Sequence, residues 1–267
     1  MQGLGARWLG AWRRRRGLRR LRDPAYRFLF APPPPREWVA LDCETTGLDP
    51  RRDEIIAVAA VRIVDHRILS SQRLQLLVRP RGEPGDSARV HRLRGRDLAN
   101  GLPVREALDR LLRFVGSRPL VGYYLEFDVA MIERELRPWL GIGLPQQRIE
   151  VSALYHDHKL RQLPDWARQG NVRIDLRLQS MMRDLDLPSR DAHDPFNDAE
   201  MAAMAFLKLR ELNARGAFSS GPSAAQQMHH QADHEADDRD EKNQLRDSHR
   251  SRCDSEEPEH RGHQRHD

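Results

Sequence analysis

Between residues 37 and 213 the apolar positions fall into short β-branched runs that alternate with stretches of helical spacing. Residues 38–43 form an apolar run that ends in acids. Residues 55–64 form a β-branched run, which the turn at Asp65-His66 would pair with 68–78, so a sheet opening with antiparallel neighbours is predicted. Leu108, Leu111, Leu112 and Val115 recur at the period of a helix over 104–115, residues 119–123 read as a short buried strand, and 127–139 reads as a second helix. Further helices are predicted at 151–162, 174–185 and 197–213. Strands interleaved with helices imply an α/β layered domain, with Trp38, Trp139 and Trp166 as core or core-edge aromatics.

Composition changes at both ends of this pattern. Residues 1–36 carry ten arginines and one aspartate, among them Arg13 to Arg16 and Arg19-Arg20, while Leu4, Trp8 and Trp12 would form an apolar stripe if helical. Such an arm could grip phosphates, a membrane surface or a partner, and Pro32 to Pro35 would follow it as a stiff spacer. Residues 214–267 hold seven of the twelve histidines with many Asp and Glu and little that is apolar, the composition of a disordered tail. The expected organisation is therefore an arm at 1–36, a domain at 37–213 and a tail at 214–267.

The formal charge of +5 comes from the arm, because residues 37–214 sum to zero, and with only three lysines the arginine excess is weak evidence for nucleic acid. A mean hydropathy of −0.76 and the lack of any long apolar run exclude a membrane-spanning segment. Two cysteines, Cys43 and Cys253, are too few for a disulfide framework or a thiolate zinc site, which suits a reducing, cytoplasmic setting.

The candidate chemistry lies in three acid clusters. Asp42 and Glu44 are two apart at the end of a strand and so share a face. At about 4 Å two carboxylates repel by about 4 kcal/mol at an effective dielectric of 20, so something positive belongs between them. Hard divalent cations that take oxygen ligands, Mg²⁺ or Mn²⁺, suit an acid pair followed by a tight Thr-Gly turn. Asp128 opens the second helix. Asp198 opens the last one, with Met201, Ala202 and Ala205 at i+3, i+4 and i+7, so this acid is expected on the buried face, where it needs a cation. His193 sits on the loop before it.

In order and spacing, Asp42-x-Glu44-Thr45-Thr46-Gly47, Phe127-Asp128 and His193 with Asp198 resemble the DEDDh 3′-5′ exonucleases, with the epsilon proofreading subunit of bacterial DNA polymerase III as the nearest type. The resemblance covers about 37–213. It implies a ribonuclease H-like three-layer fold, with a five-stranded mixed sheet whose first three strands are antiparallel. It also implies that Asp42, Glu44, Asp128 and Asp198 hold two Mg²⁺ or Mn²⁺ ions, that His193 takes the proton of the attacking water, and that nucleoside 5′-monophosphates leave from the 3′ end. Backbone near Thr46 and Gly47 would contact the terminal nucleotide and Leu48 would pack on its base.

Two departures from the family pattern stand out: Tyr123 and Tyr124 replace its usual His and Asn, and neither the arm nor the tail has a counterpart in the family core. Phe127 is expected in the core rather than as a base platform, and His91 on the surface. Single-stranded or frayed DNA is the expected substrate, with a DNA polymerase catalytic subunit as a candidate partner. An exoribonuclease resembling ribonuclease T or oligoribonuclease stays open, although the latter group usually has Met where Thr45 stands. A non-catalytic nucleic-acid-binding module stays open as well.

Overall fold

The computed structural model describes residues 14–82, 95–164, 167, 172–191 and 194–217, all within the unit Met1–Ser219. The strands are β1 (Glu37–Thr45), β2 (Ile55–Val64), β3 (Arg67–Ile68), β4 (Leu74–Leu77), β5 (Leu120–Gly122) and β6 (Arg148–Glu150). The main helices are α1 (Val104–Val115), α2 (Leu125–Leu140), α3 (Val151–Gln162), α4 (Leu178–Asp184) and α5 (Pro195–Ala217).

β1 pairs antiparallel with β2 on one side and parallel with β5 on the other, and β5 pairs parallel with β6. β3 and β4 both pair antiparallel with β2 and together occupy one edge position. The single strand expected over 68–78 is therefore broken. The polar triplet Ser70–Gln72 forms a 3₁₀ turn between the two pieces, and the Ser70 hydroxyl donates to Glu200 Oε1 on α5 at 2.6 Å. With the broken strand counted once, the sheet has five positions, mixed, with antiparallel neighbours at its start, as the resemblance implies.

Strand alternation decides which layer each side chain joins. Val39, Leu41 and Cys43 point into a core formed with α1 and α2, whereas Ala40 faces a second core built from α3, α4 and α5. β2 is apolar on both faces because both are covered by helices. Asp42 and Glu44 continue the Ala40 face, and so the acids look toward α5.

Part of the segment expected to be an arm belongs to the core instead. Pro24–Phe30 forms a 3₁₀ helix capped by Asp23, and it buries Tyr26, Leu29 and Phe30. The Tyr26 hydroxyl donates to Asp109 on α1 at 2.6 Å, and its ring meets Trp139 edge-on at 5.2 Å between centroids. Arginine density masked these apolar positions in the sequence. Trp38 and Trp139 pack at core edges as expected, and Phe127 packs against the first core. Trp166, His91, residues 1–13 and the tail beyond Ala217 lie outside the described residues. Among the described residues, no helix is long and apolar enough to cross a membrane.

Candidate active site

β1, β5 and β6 run parallel, so their carboxyl ends lie together, and Asp42, Glu44, Asp128 and Glu150 lie at that edge. Asp42 and Glu44 end β1, and α2, carrying Asp128 in its first turn, begins directly after β5. Asp198 lies in the first turn of α5, whose start is fixed by Asp194: its Oδ1 accepts from the amides of Phe196 and Asn197, both at 3.0 Å. Met201, Ala202 and Ala205 are buried, which turns the Asp198 face of the helix inward.

Carboxylate oxygens of Asp42, Glu44 and Asp198 all lie within 4.8 Å of one another. The buried Asp128 joins them electrostatically. Its charge is the largest neighbouring influence on Asp42, and a backbone hydrogen bond from Cys43 on β1 holds its carboxylate. Burial, reinforced by the charges of Asp128, Asp198 and Glu44, pushes the Asp42 carboxyl well above its ordinary range. Glu44 is pushed up to about 7 by burial and by Asp198 and Asp194. Burial raises Asp128 too, with Glu150 and Glu44 adding to it. So many oxygen donors crowded together with their proton affinity raised is what a hard divalent cation relieves, and the donor set fits one. His193 lies outside the described residues.

The turn after β1 is ordered by a side chain that sequence reading did not single out. Asp53 accepts from the Thr46 hydroxyl at 3.1 Å and from the Asp49 amide at 2.7 Å. The Thr46 oxygen accepts in turn from the Glu54 amide at 2.9 Å, and the Thr45 hydroxyl donates to the Gly47 carbonyl at 2.6 Å. A Cβ on Gly47 would come within 2.6 Å of the Asp53 carboxylate, so only glycine lets the turn close this tightly. Leu48 is left 53% exposed at its tip. Arg134 of α2 donates to the Pro50 carbonyl at 2.8 Å and ties the turn to the helix that bears Asp128.

Glu150 was also missed. It accepts from the amides of Tyr124 at 3.1 Å and Leu125 at 2.9 Å, and from the amide and hydroxyl of Ser152 at 3.1 and 2.8 Å. One carboxylate thus caps both α2 and α3. Tyr124 stands at φ 58°, ψ 30°, a left-handed conformation that Asn or Gly adopts at less cost, which gives a physical reason for the asparagine usual at this place in the resembling family. A lone acid ending a three-residue strand carries no sequence signal for such a role.

Comparison with known proteins agrees with this geometry. The model of the exonuclease family RNase_T matches residues 39–206. A DNA polymerase III PolC-type protein of Thermotoga petrophila is 29% identical over 178 residues, 66% of this chain but 12% of the relative. An oligoribonuclease of Tropheryma whipplei is 40% identical over 98 residues, 34% of this chain and 53% of that protein. The chain therefore matches only part of each relative. Among solved structures, E. coli exonuclease I in complex with a dA16 oligonucleotide superposes with a TM-score of 0.56 at 16% identity, covering 67% of this chain and 42% of that one, a likeness of fold.

Proposed function

The chain belongs to the RNase_T exonuclease family, and on that premise we propose that it is a metal-dependent 3′-5′ exonuclease that trims single-stranded or frayed DNA ends to nucleoside 5′-monophosphates. The observation that carries the reading is the meeting of Asp42, Glu44 and Asp198 within 4.8 Å, with the buried Asp128 beside them, from elements far apart in sequence. In this reading residues 37–213, with the Pro24–Phe30 segment packed into their core, are the exonuclease domain, the rest of 1–36 and 214–267 are its extensions, and the cytoplasm is its setting.

Asp42, Glu44, Asp128 and Asp198 would hold two Mg²⁺ or Mn²⁺ ions. When bound, such ions activate the attacking water and stabilise the departing 3′ oxygen. His193, with an ordinary pKa of about 6.5, accepts the proton of that water near neutral pH. Backbone at Thr46 and Gly47 positions the terminal nucleotide, and Leu48 offers its apolar tip to the base. A base freed by a mismatch costs less to draw in, which favours frayed ends.

The name of the Thermotoga relative supports a proofreading role beside a DNA polymerase. The Tropheryma relative favours a second reading, an exoribonuclease acting on short RNA. Digestion of 5′-labelled single-stranded DNA, mismatched duplex and RNA with Mg²⁺, Mn²⁺ or EDTA decides between them. Stepwise loss from DNA 3′ ends is expected, faster at the mismatch and abolished by EDTA. Faster digestion of short RNA than of DNA would favour the second reading, and no hydrolysis with either ion would overturn both.

A further inference from the structure

We propose that the arginine-rich helix at 14–20 is a clamp for the phosphate backbone, holding the nucleic acid several nucleotides from the 3′ end that occupies the acidic site. The inference rests on the exonuclease reading for its substrate and on the mounting of this helix for its argument.

Residues 14–22 contain six arginines and no acid, and Arg14, Arg15, Arg16, Arg19 and Arg20 are exposed. A solvated arm needs no fixed seat, yet this helix has one. A Cβ on Gly17 would lie 2.5 Å from the Phe30 ring, so the helix rests directly on that buried side chain. Leu21 packs on the core, the Arg22 amide donates to the Leu140 carbonyl at 3.0 Å, and its guanidinium donates to the Pro138 carbonyl at 2.5 Å. At Gly141, φ 73°, a Cβ would meet the Arg20 carbonyl at 2.5 Å, so the end of α2 is shaped to receive this segment. Charges fixed on a seated helix lose less freedom on binding than charges on a loose arm.

The seat lies at the carboxyl end of α2, whose first turn carries Asp128. Twelve residues at a rise of 1.5 Å separate them by about 18 Å, a span of several nucleotides along a strand. An acidic pocket repels a polyanion, and residues 37–214, whose charges sum to zero with the pocket's acids counted, add no net attraction, whereas the fixed positive charge of this helix does. A helix lying on a lipid surface needs an exposed apolar face, whereas here Leu21 turns to the core and Leu18 alone, 38% exposed, is left outside over 14–21.

The test is fluorescence anisotropy of the full chain with a labelled 25-nucleotide single strand in EDTA across 50–300 mM KCl. Wild type is compared with a variant carrying Arg14→Gln, Arg15→Gln, Arg19→Gln and Arg20→Gln, and with the corresponding Lys variant; melting curves report on folding. The Gln variant should bind at least tenfold more weakly at 100 mM, with a salt slope shallower by about 0.7 for each phosphate that is no longer neutralised. The Lys variant should stay within about threefold of wild type, since counterion release depends on the neutralising charge, which Lys keeps. A trinucleotide, too short to reach the helix, should not separate the three proteins. Unchanged affinity and slope in the Gln variant would overturn the proposal, as would a Lys variant as weak as the Gln one, or wild type that sediments with phosphatidylserine vesicles yet binds the strand without salt dependence. Hydrolysis of the p-nitrophenyl ester of thymidine 5′-monophosphate by wild type with Mn²⁺ reports on the acidic pocket by itself, so failure of the clamp and failure of the exonuclease reading are told apart.

Discussion

Burial and the charges of Asp198 and Asp194 disfavour the ionised form of Glu44 and push its carboxyl from the ordinary 4.5 up to about 7. Between those pH values the folded state holds more protons than the unfolded state, so without metal this group lowers stability as pH rises, by up to about 3 kcal/mol. Asp42 and Asp128 are shifted in the same direction. His158, depressed mainly by burial, works in the opposite sense over part of that window, whereas Asp175 and Asp184, held low by Arg177 and Lys159, titrate below it. In EDTA the melting temperature should therefore fall from pH 5 to pH 8, and Mn²⁺ should raise it far more at pH 8. Glu44→Gln should flatten the EDTA profile. A Mn²⁺ shift of equal size at both pH values, or none, would contradict a cation-binding cluster. These acids were legible in the sequence because strand alternation and helical spacing fix the facing of each. Asp53 and Glu150 were not, since their roles arise from backbone amides brought to them by folding.

Among the elements, α1 and α3 were legible to the residue, and α2, α4 and α5 to within about four residues. β6 was missed: three residues with a charge at each end become a strand only by pairing parallel with β5. That short strand nonetheless delivers Glu150, which caps α2 and α3. Glu150→Ala should remove acceptors from the Tyr124 and Leu125 amides, cost about 1–3 kcal/mol in a denaturant melt, and lower kcat more than it raises KM, because Asp128 rides on the helix start that loosens. Glu150→Gln, which keeps an acceptor, should lose less on both measures. Equal activity in all three proteins would contradict a positioning role. Gly122 marks how tightly this end is built, since a Cβ there would lie 2.9 Å from Leu125 Cδ1 and 3.1 Å from the Leu41 carbonyl.

For the molecule as a whole, the folded unit starts earlier than composition suggests. A chain beginning at Arg36 lacks Tyr26, Leu29 and Phe30, whose burial stabilises by roughly 1.5–3 kcal/mol each, a large share of a typical domain's 5–15 kcal/mol. It should melt far below the full chain or fail to stay folded, whereas a chain beginning at Asp23, which keeps the 3₁₀ helix and its cap, should lose only a few degrees. Similar melting of both truncations would contradict the burial of this segment as part of the core. The central claim, that four acids from three separate elements work as one metal-dependent site on a 3′ end, is tested most directly by following a 5′-labelled single strand with Mg²⁺ for wild type and Asp42→Asn. A ladder shortening one nucleotide at a time from the 3′ end, slowed at least about a thousandfold in the variant, is the expected result. Equal rates in the two proteins, or cleavage inside the strand, would contradict it.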